Sequence, residues 1–257
     1  MEYDIKAVVL AAGMGKRLQT EDSDAPKVMR QVCGKPLIGY VLDALAFIPQ
    51  KDIIVIVGYK KNEVIDHIRG GYTYAIQAEQ LGTGHAVMSA ADELSDYNGA
   101  VLVCCGDMPA IRRETFEDLI SEHFSQMNDC TLLTGETSIP LAYGRVLRDE
   151  NGGFSQIIEQ KDCSPEQLAI KELNSGVYVF KATMLLEAVK QLKNNNSQGE
   201  YYLTDAPAII QSKGGRVGIF CKNLGVEILG VNTVEDLSRM EEIIDEGVKP
   251  RRESDAQ

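Results

Sequence analysis

Three groups of residues carry chemistry that a plain scaffold would not need. The first is LAAGMGKRL at residues 10–18. Its glycines let backbone amides approach a phosphate with no Cβ in the way, although a tight turn from strand to helix would use the same glycines. The second is Arg17 with the Lys27 of a Pro26-Lys27 pair. Beside a glycine loop the two cations suit a triphosphate with its about four negative charges, one as a planar fork and the other as a point charge. Taken singly, each is more often a solvated surface residue. The third is Asp107 in VLVCCGDMP, just past the carboxyl end of an apolar run. Open α/β sheets bind ligands at that edge, and a hard carboxylate oxygen there suits Mg²⁺. The competing role, capping the helix that RRETFEDL begins, lies too far along the chain for Asp107.

Two familiar glycine-loop chemistries do not fit. A dinucleotide fingerprint wants a third glycine where Leu18 stands, and an acid after the second strand where Gly58 and Tyr59 stand. A phosphate-binding GxxxxGK[ST] loop is not present near Gly13.

The elements that must position these groups follow from the hydrophobic pattern. KAVVLAAG, DIIVIVGY, YTYAIQ and AVLVCCGD read as strands, several with the unbroken apolar runs of parallel strands covered on both faces. PLIGYVLDALAFI, NEVIDHIRG, GHAVMSAADEL and RETFEDLISEHFSQM read as the helices between them. This alternation predicts an α/β fold with a Rossmann-like, doubly wound sheet. After about residue 130 the rhythm changes. CTLLTGET, GRVLRDENGGFSQIIEQ and ELNSGVYVFK predict antiparallel strands added to the sheet as a small lobe, with Asn151-Gly152 as a hairpin signal. MLLEAVKQL, a helix from about Ala206, the strand RVGIF and a helix after VNT complete the chain. The reading is one domain over residues 1–246 and a flexible tail over 247–257.

Composition narrows the class. Of 257 residues, 44% are hydrophobic and 25% charged, so a disordered, collagenous or coiled-coil chain is excluded. Acidic residues outnumber basic ones by 38 to 26, a net charge of −12. A nucleic-acid binder would show the opposite excess, so no nucleic-acid or anionic-membrane partner is expected. The start, MEYDIKAVVLAAG, reads as no signal peptide, and no run approaches the ~20 apolar residues of a membrane span. Six cysteines without metal spacing suggest reduced thiols and a cytoplasmic location.

Further short motifs are each weak alone: QAEQLGTGHA at 77–86, YGRV at 143–146, IIEQKD at 157–162, ELNSG at 172–176, GEYYLTD at 199–205 and GVNT at 230–233. GTG could be only a helix-start turn, and His85 beside it reads as a structural hydrogen-bonding residue. In this order, however, the motifs resemble those of the nucleotide-sugar pyrophosphorylases, over about residues 6–244. The resemblance is greatest to the uridyltransferase half of the bifunctional bacterial enzymes that make UDP-N-acetylglucosamine. QAEQLGTGHA, GEYYLTD and GVN are its most specific pieces. It implies a nucleotide-diphospho-sugar transferase fold in which the antiparallel lobe binds sugar. It further implies that Leu10, Ala11, Ala12 and Gly13 contact the nucleotide, and that Gln77, Gly82 and Thr83 read uracil. Gly106 would line the sugar–nucleotide passage, Asp107 and Asn232 would hold Mg²⁺, and Gly144, Glu159 and Asn174 would line the sugar pocket. Arg17 and Lys27 match the pair that stabilises phosphate.

The resemblance implies a Mg²⁺-dependent uridylyltransferase that joins UTP and N-acetylglucosamine 1-phosphate into UDP-N-acetylglucosamine and pyrophosphate. The alternatives are transfer of another base or to another sugar 1-phosphate, or a non-catalytic nucleotide-sugar binder; the presence of Asp107 and Asn232 favours the enzyme. This sequence departs from the family pattern at Lys16, where threonine is usual, at Cys105, where an aromatic is usual, and by three extra residues within QTEDSDA. Residues 190–257 show no hexapeptide period, so no acetyltransferase part is expected in this sequence. Nothing in the pattern specifies an oligomeric state.

Overall fold

The computed structural model describes residues 3–19, 23–137 and 141–248. Its strands are β1 (Ile5–Ala11), β2 (Gln31–Val32), β3 (Lys35–Pro36), β4 (Ile53–Val57), β5 (Thr73–Ile76), β6 (Ala100–Cys105), β7 (Cys130–Glu136), β8 (Arg145–Arg148), β9 (Phe154–Ile158), β10 (Glu172–Lys181) and β11 (Val217–Cys221). The helices are α1 (Leu37–Ala44), α2 (Lys61–Ile68), α3 (Thr83–Met88), α4 (Ala91–Leu94), α5 (Arg113–Ser125), α6 (Pro165–Leu168), α7 (Ala182–Val189), α8 (Ala206–Ser212) and α9 (Val234–Val248).

Strands β5, β4, β1 and β6 lie side by side in parallel. Strand β10 runs antiparallel to both β6 and β7, and β11 closes that edge parallel to β7. Strands β8 and β9 form a hairpin joined to β10 through the Leu173–Arg145 pair. The mixed sheet and the small antiparallel lobe are those the sequence predicts.

The unbroken apolar runs are explained by their two faces. Side chains of a strand alternate, so every second residue needs its own cover. Val9, Val55 and Leu102 join one core with Leu37, Ile38 and Val41 of α1 and Phe116, Leu119 and Ile120 of α5. Val8, Ile54 and Val103 join the other, with Val87 of α3, Leu185 and Val189 of α7, and Ile210 of α8. Each such side chain contributes about 1.5–3 kcal/mol relative to exposure. All five residues of β4 are buried, so a charge anywhere in it would remain without water on either face.

Three local features differ from the sequence reading. GHAVMSAADEL is two short helices, α3 and α4: the Ser89 hydroxyl bonds back to the His85 carbonyl, and the Ala90 N–H reaches only as far as the Val87 carbonyl. This is the helix-weakening habit of serine. A helix, α6, forms at SPEQL, where the sequence reading placed none. Ser164 and Gln167 cap it reciprocally and proline opens it. The glycine loop after β1 leads to a three-residue 3₁₀ turn (Lys16–Leu18) rather than to a helix. The hairpin signal at 151–152 does operate. Gly152 has φ +80°, and Asp149 Oδ1 accepts the N–H groups of Asn151 and Gly153.

Among the described residues no helix is long and apolar enough to cross a membrane. The tail expected from residue 247 falls on the end of α9 and on residues 249–257, which lie outside the described residues, as do 20–22 of the QTEDSDA insertion.

Candidate active site

The carboxyl ends of β1, β5 and β6 open onto a cleft of about 620 Å³. Its floor is the glycine loop. Gly15 adopts φ +68°, and a Cβ there would stand 2.8 Å from Lys27 Cβ. The Lys27 N–H reaches the Gly13 carbonyl at 3.3 Å, and buried Leu18 and Val28 anchor the turns that carry Arg17 and Lys27. Two cations ten residues apart are thus drawn to one loop.

At the centre, Lys27 Nζ pairs with Asp107 Oδ2 and donates to Asn232 Oδ1 at 2.7 Å; Arg17 Nη2 lies 3.5 Å from the same Asn232 oxygen. Asp107 is not a helix cap. The start of α5 is instead tied by Glu227, which accepts from the Arg112 N–H, the Arg112 guanidinium and the Thr115 hydroxyl. Asn232 is fixed by its neighbours. Asp236 Oδ2 accepts the N–H groups of Asn232 and Thr233, while Thr233 Oγ1 accepts the N–H of Asp236, capping α9. The Val231 N–H donates to the Asp107 carbonyl, and the Gly230 N–H to the Tyr143 hydroxyl. One carboxylate oxygen and one amide oxygen therefore converge on a single cationic centre. Hard oxygen donors so placed fit Mg²⁺, which takes few protein ligands and completes its shell with phosphate and water. No cluster of three or more metal-ligating acids, histidines or cysteines occurs among the described residues.

One end of the cleft is built by two motifs far apart in sequence. The Gly84 N–H donates to the Tyr201 carbonyl, the Tyr201 N–H to the Leu81 carbonyl, and the Leu203 N–H to Thr83 Oγ1. QAEQLGTGHA and GEYYLTD are stitched together by these bonds. Gly82, at φ +112°, approaches so closely that a Cβ would stand 2.6 Å from the Tyr201 oxygen. Gln77 is buried beneath this turn, and Gln80 bonds to its carbonyl. Gly58, where a dinucleotide enzyme would carry its acid, has room for no side chain: a Cβ would meet Ala12, Gln77 and Gln80 at 2.7–2.9 Å.

The other end is the lobe. A bulge in β10 between Asn174 and Val177 sets the cleft wall there, with Asn174 Nδ2 donating to the Tyr178 hydroxyl at 2.7 Å. The Asn174 N–H bonds to the Gly144 carbonyl. Arg145, buried, donates to the carbonyls of Leu141 and Tyr143 and so holds the 141–144 segment. Glu159 accepts from Thr204 Oγ1 at 3.0 Å. Burial pushes its carboxyl up, and Asp205, Asp162 and Glu200 push the same way against the Thr204 bond. Cys105 also faces the cleft, and burial raises its thiol to about 12, so it supplies bulk and no nucleophile at neutral pH.

Of the residues singled out from the sequence, Leu10, Ala12, Gly13, Arg17, Lys27, Gln77, Gly82, Thr83, Asp107, Gly144, Glu159, Asn174 and Asn232 line this one cleft. Ala11 and Gly106 stand behind the lining: Ala11 is buried in the sheet, and the Gly106 N–H bonds to the Leu10 carbonyl. Tyr143, Gln80, Glu200 and Asp236 also line it and received no role from the sequence. The reciprocal Thr233–Asp236 spacing was the available signal for the last.

Residues 6–222 match the family described as Nucleotidyl transferase. The chain belongs to this family. The bifunctional protein GlmU of Caldanaerobacter subterraneus subsp. tengcongensis is 42% identical over 94% of this chain and 52% of that protein. The GlmU of Clostridium beijerinckii is 44% identical over 93% and 51%. The chain thus spans about half the length of these curated relatives. Among solved structures, a UDP-glucose pyrophosphorylase complexed with UDP-glucose shares the fold with a TM-score of 0.74 at 17% identity, covering 94% of this chain and 98% of that one. A putative glucose-1-phosphate thymidylyltransferase from Bacillus anthracis does so with a TM-score of 0.71 at 21% identity, covering 93% and 94%. The resemblance read from the motifs is borne out.

Proposed function

We propose that the protein transfers the uridylyl group of UTP to N-acetylglucosamine 1-phosphate, forming UDP-N-acetylglucosamine and pyrophosphate with Mg²⁺. The observation that carries this reading is that Arg17, Lys27, Asp107 and Asn232 gather in the same cleft that Gln77 and Gly82, and Glu159 and Asn174, also line. A nucleoside triphosphate and a sugar phosphate bound at the two ends would meet with their phosphates at the cations.

The acceptor oxygen of a sugar phosphate is already ionised at neutral pH, so no side chain need remove a proton. The work is positioning and charge neutralisation. The amides of the glycine loop hold the phosphates close. Arg17 offers a planar fork to the oxygens around the α-phosphorus, and Lys27 offsets charge gathering on the leaving group. Asp107 and Asn232 would hold Mg²⁺, which when bound supplies further positive charge to the phosphate oxygens. The attacking and leaving bonds are both phosphoanhydride, so the reaction is expected to run in either direction.

Pyrophosphate release with each nucleotide and a panel of sugar 1-phosphates tests the reading. UTP is expected to be preferred over ATP and GTP by at least ~10²-fold, since a purine would crowd the Gly82 turn and leave polar groups unpaired. Equal rates with all nucleotides would discard the base assignment, and a clear preference for glucose 1-phosphate the sugar assignment.

A further inference from the structure

Gln77 is the residue whose hydrogen bonds decide what the base end can accept. It is only 3% exposed, so its amide orientation is set by the protein. Its Nε2 lies 3.1 Å from the Gly82 carbonyl oxygen and 3.1 Å from His85 Nδ1. A carbonyl oxygen only accepts, so the atom facing Gly82 must be the amide NH₂. The reverse orientation would set two oxygens against each other at that distance. It follows that His85 Nδ1 also accepts, and that the imidazole proton sits on Nε2. Gln77 Oε1 accepts no hydrogen bond among the described residues, and Gln77 lines the cleft. His85 is held in turn. Its ring packs 6.3 Å from that of Tyr201, and its carbonyl accepts from Ser89.

We propose that His85 is a positioning residue that sets base specificity. By accepting from Gln77 Nε2 it presents Oε1 to the cleft as an acceptor. That polarity selects a base with a ring N–H, as in the imide of uracil, over cytosine, whose ring nitrogen at that place carries a lone pair. The proposal rests on the uridylyl reading above. It goes beyond that reading in assigning the discrimination to a residue that touches Gln77 and not the nucleotide. Without Nδ1, the Gly82 carbonyl alone anchors the amide, and the orientation that suits cytosine gains population.

The test compares kcat/KM for UTP and CTP in the wild type, His85→Leu, His85→Phe and His85→Asn. Leucine and phenylalanine keep bulk without an acceptor, whereas asparagine Oδ1 can replace Nδ1. The UTP-to-CTP ratio is expected to fall about fivefold to tenfold in the leucine and phenylalanine variants, the loss of one well-placed hydrogen bond, through KM for UTP more than through kcat. His85→Asn is expected to restore it to within about twofold of wild type. Two folded acceptor-free variants that keep the wild-type ratio, or an asparagine variant that loses it as they do, would overturn the proposal. A wild type that does not prefer UTP over CTP would overturn the uridylyl reading and this proposal with it, an outcome distinct from failure in the variants alone.

Discussion

Lys27 shares one positive charge between Asp107 and Asn232, so the groups that would bind phosphate and metal are satisfied by each other. In the proposed reaction phosphate oxygens would compete for the lysine, and a divalent ion for the two oxygens. Asp107→Ala is therefore expected to lower kcat by at least ~10²-fold, about 2.7 kcal/mol of transition-state stabilisation, while leaving urea unfolding nearly unchanged because the side chain supports no core contact. Near-full turnover of this variant in Mg²⁺ would remove Asp107 from the metal role. A different residue governs acid stability. His123 is buried between α5 and β7, with Nδ1 against the Thr131 hydroxyl. Burial holds its imidazole down at about 4, against a slight upward pull from Asp129. A depressed folded value means that the unfolded chain binds the proton first, so this stability is complete above the ordinary value and is lost as pH falls towards 4. The loss should reach about 3 kcal/mol. Urea titrations at pH 7.5, 6 and 5 check this: His123→Gln should lose less stability over that range than the wild type, and parallel losses would count against it.

Elements, more than single residues, decide where the cleft's groups point. The 230–233 segment is held from three sides, by Tyr143, by the Asp107 carbonyl and by Asp236 at the start of α9. Asp236→Ala is expected to cost about 1–2 kcal/mol of stability through the lost cap and, by loosening Asn232, to lower kcat roughly tenfold and raise the Mg²⁺ requirement; Asp236→Asn, which keeps an acceptor, should recover most of both. Unchanged Mg²⁺ dependence in the alanine variant would restrict Asp236 to capping. The same distinction explains what was legible in the sequence. Strands β1, β4 and β6 were, because burial on two faces demands unbroken apolar runs. Most residues of the cleft were, because they sit in short motifs whose types and order resemble those of a known family. The helix break at Ser89 was not, since its cause is a side chain turning back on its own backbone. Nor were the stitching of QAEQLGTGHA to GEYYLTD, the bulge that shapes the wall at Asn174, or the service of Gln77's amide to Gly82 and His85. Those depend on partners five to 120 residues distant, which periodicity does not encode.

At the scale of the whole molecule, a chain of net charge −12 must accept two anions. It does so by separating charge along the cleft. Arg17 and Lys27 gather at one place in its lining, while Glu159 lies in the lobe with Asp162, Glu200 and Asp205 close enough to raise it. This field favours a sugar phosphate that enters phosphate towards the cations. It also bears on which sugars compete. An acetamide-shaped pocket leaves polar groups unpaired when the acetyl group is missing, so N-acetylglucosamine 1-phosphate is expected to be used at least ~10-fold better than glucosamine 1-phosphate. The protonated amine of glucosamine, however, faces a negative surround that glucose cannot exploit. Glucosamine 1-phosphate should therefore show a lower KM than glucose 1-phosphate at pH 7 and low salt. Since the Debye length shrinks from about 10 Å at 0.1 M to about 3 Å at 1 M, that gap should narrow as salt is raised, whereas the acetamide preference, made of short contacts, should persist. Measuring kcat/KM and KM for the three sugar phosphates with UTP at 0.05 M and 0.5 M KCl separates the two effects. A glucosamine–glucose gap that is absent or indifferent to salt would show that the acids around Glu159 do not act on the sugar, and an acetamide preference that vanished with salt would make it electrostatic rather than steric.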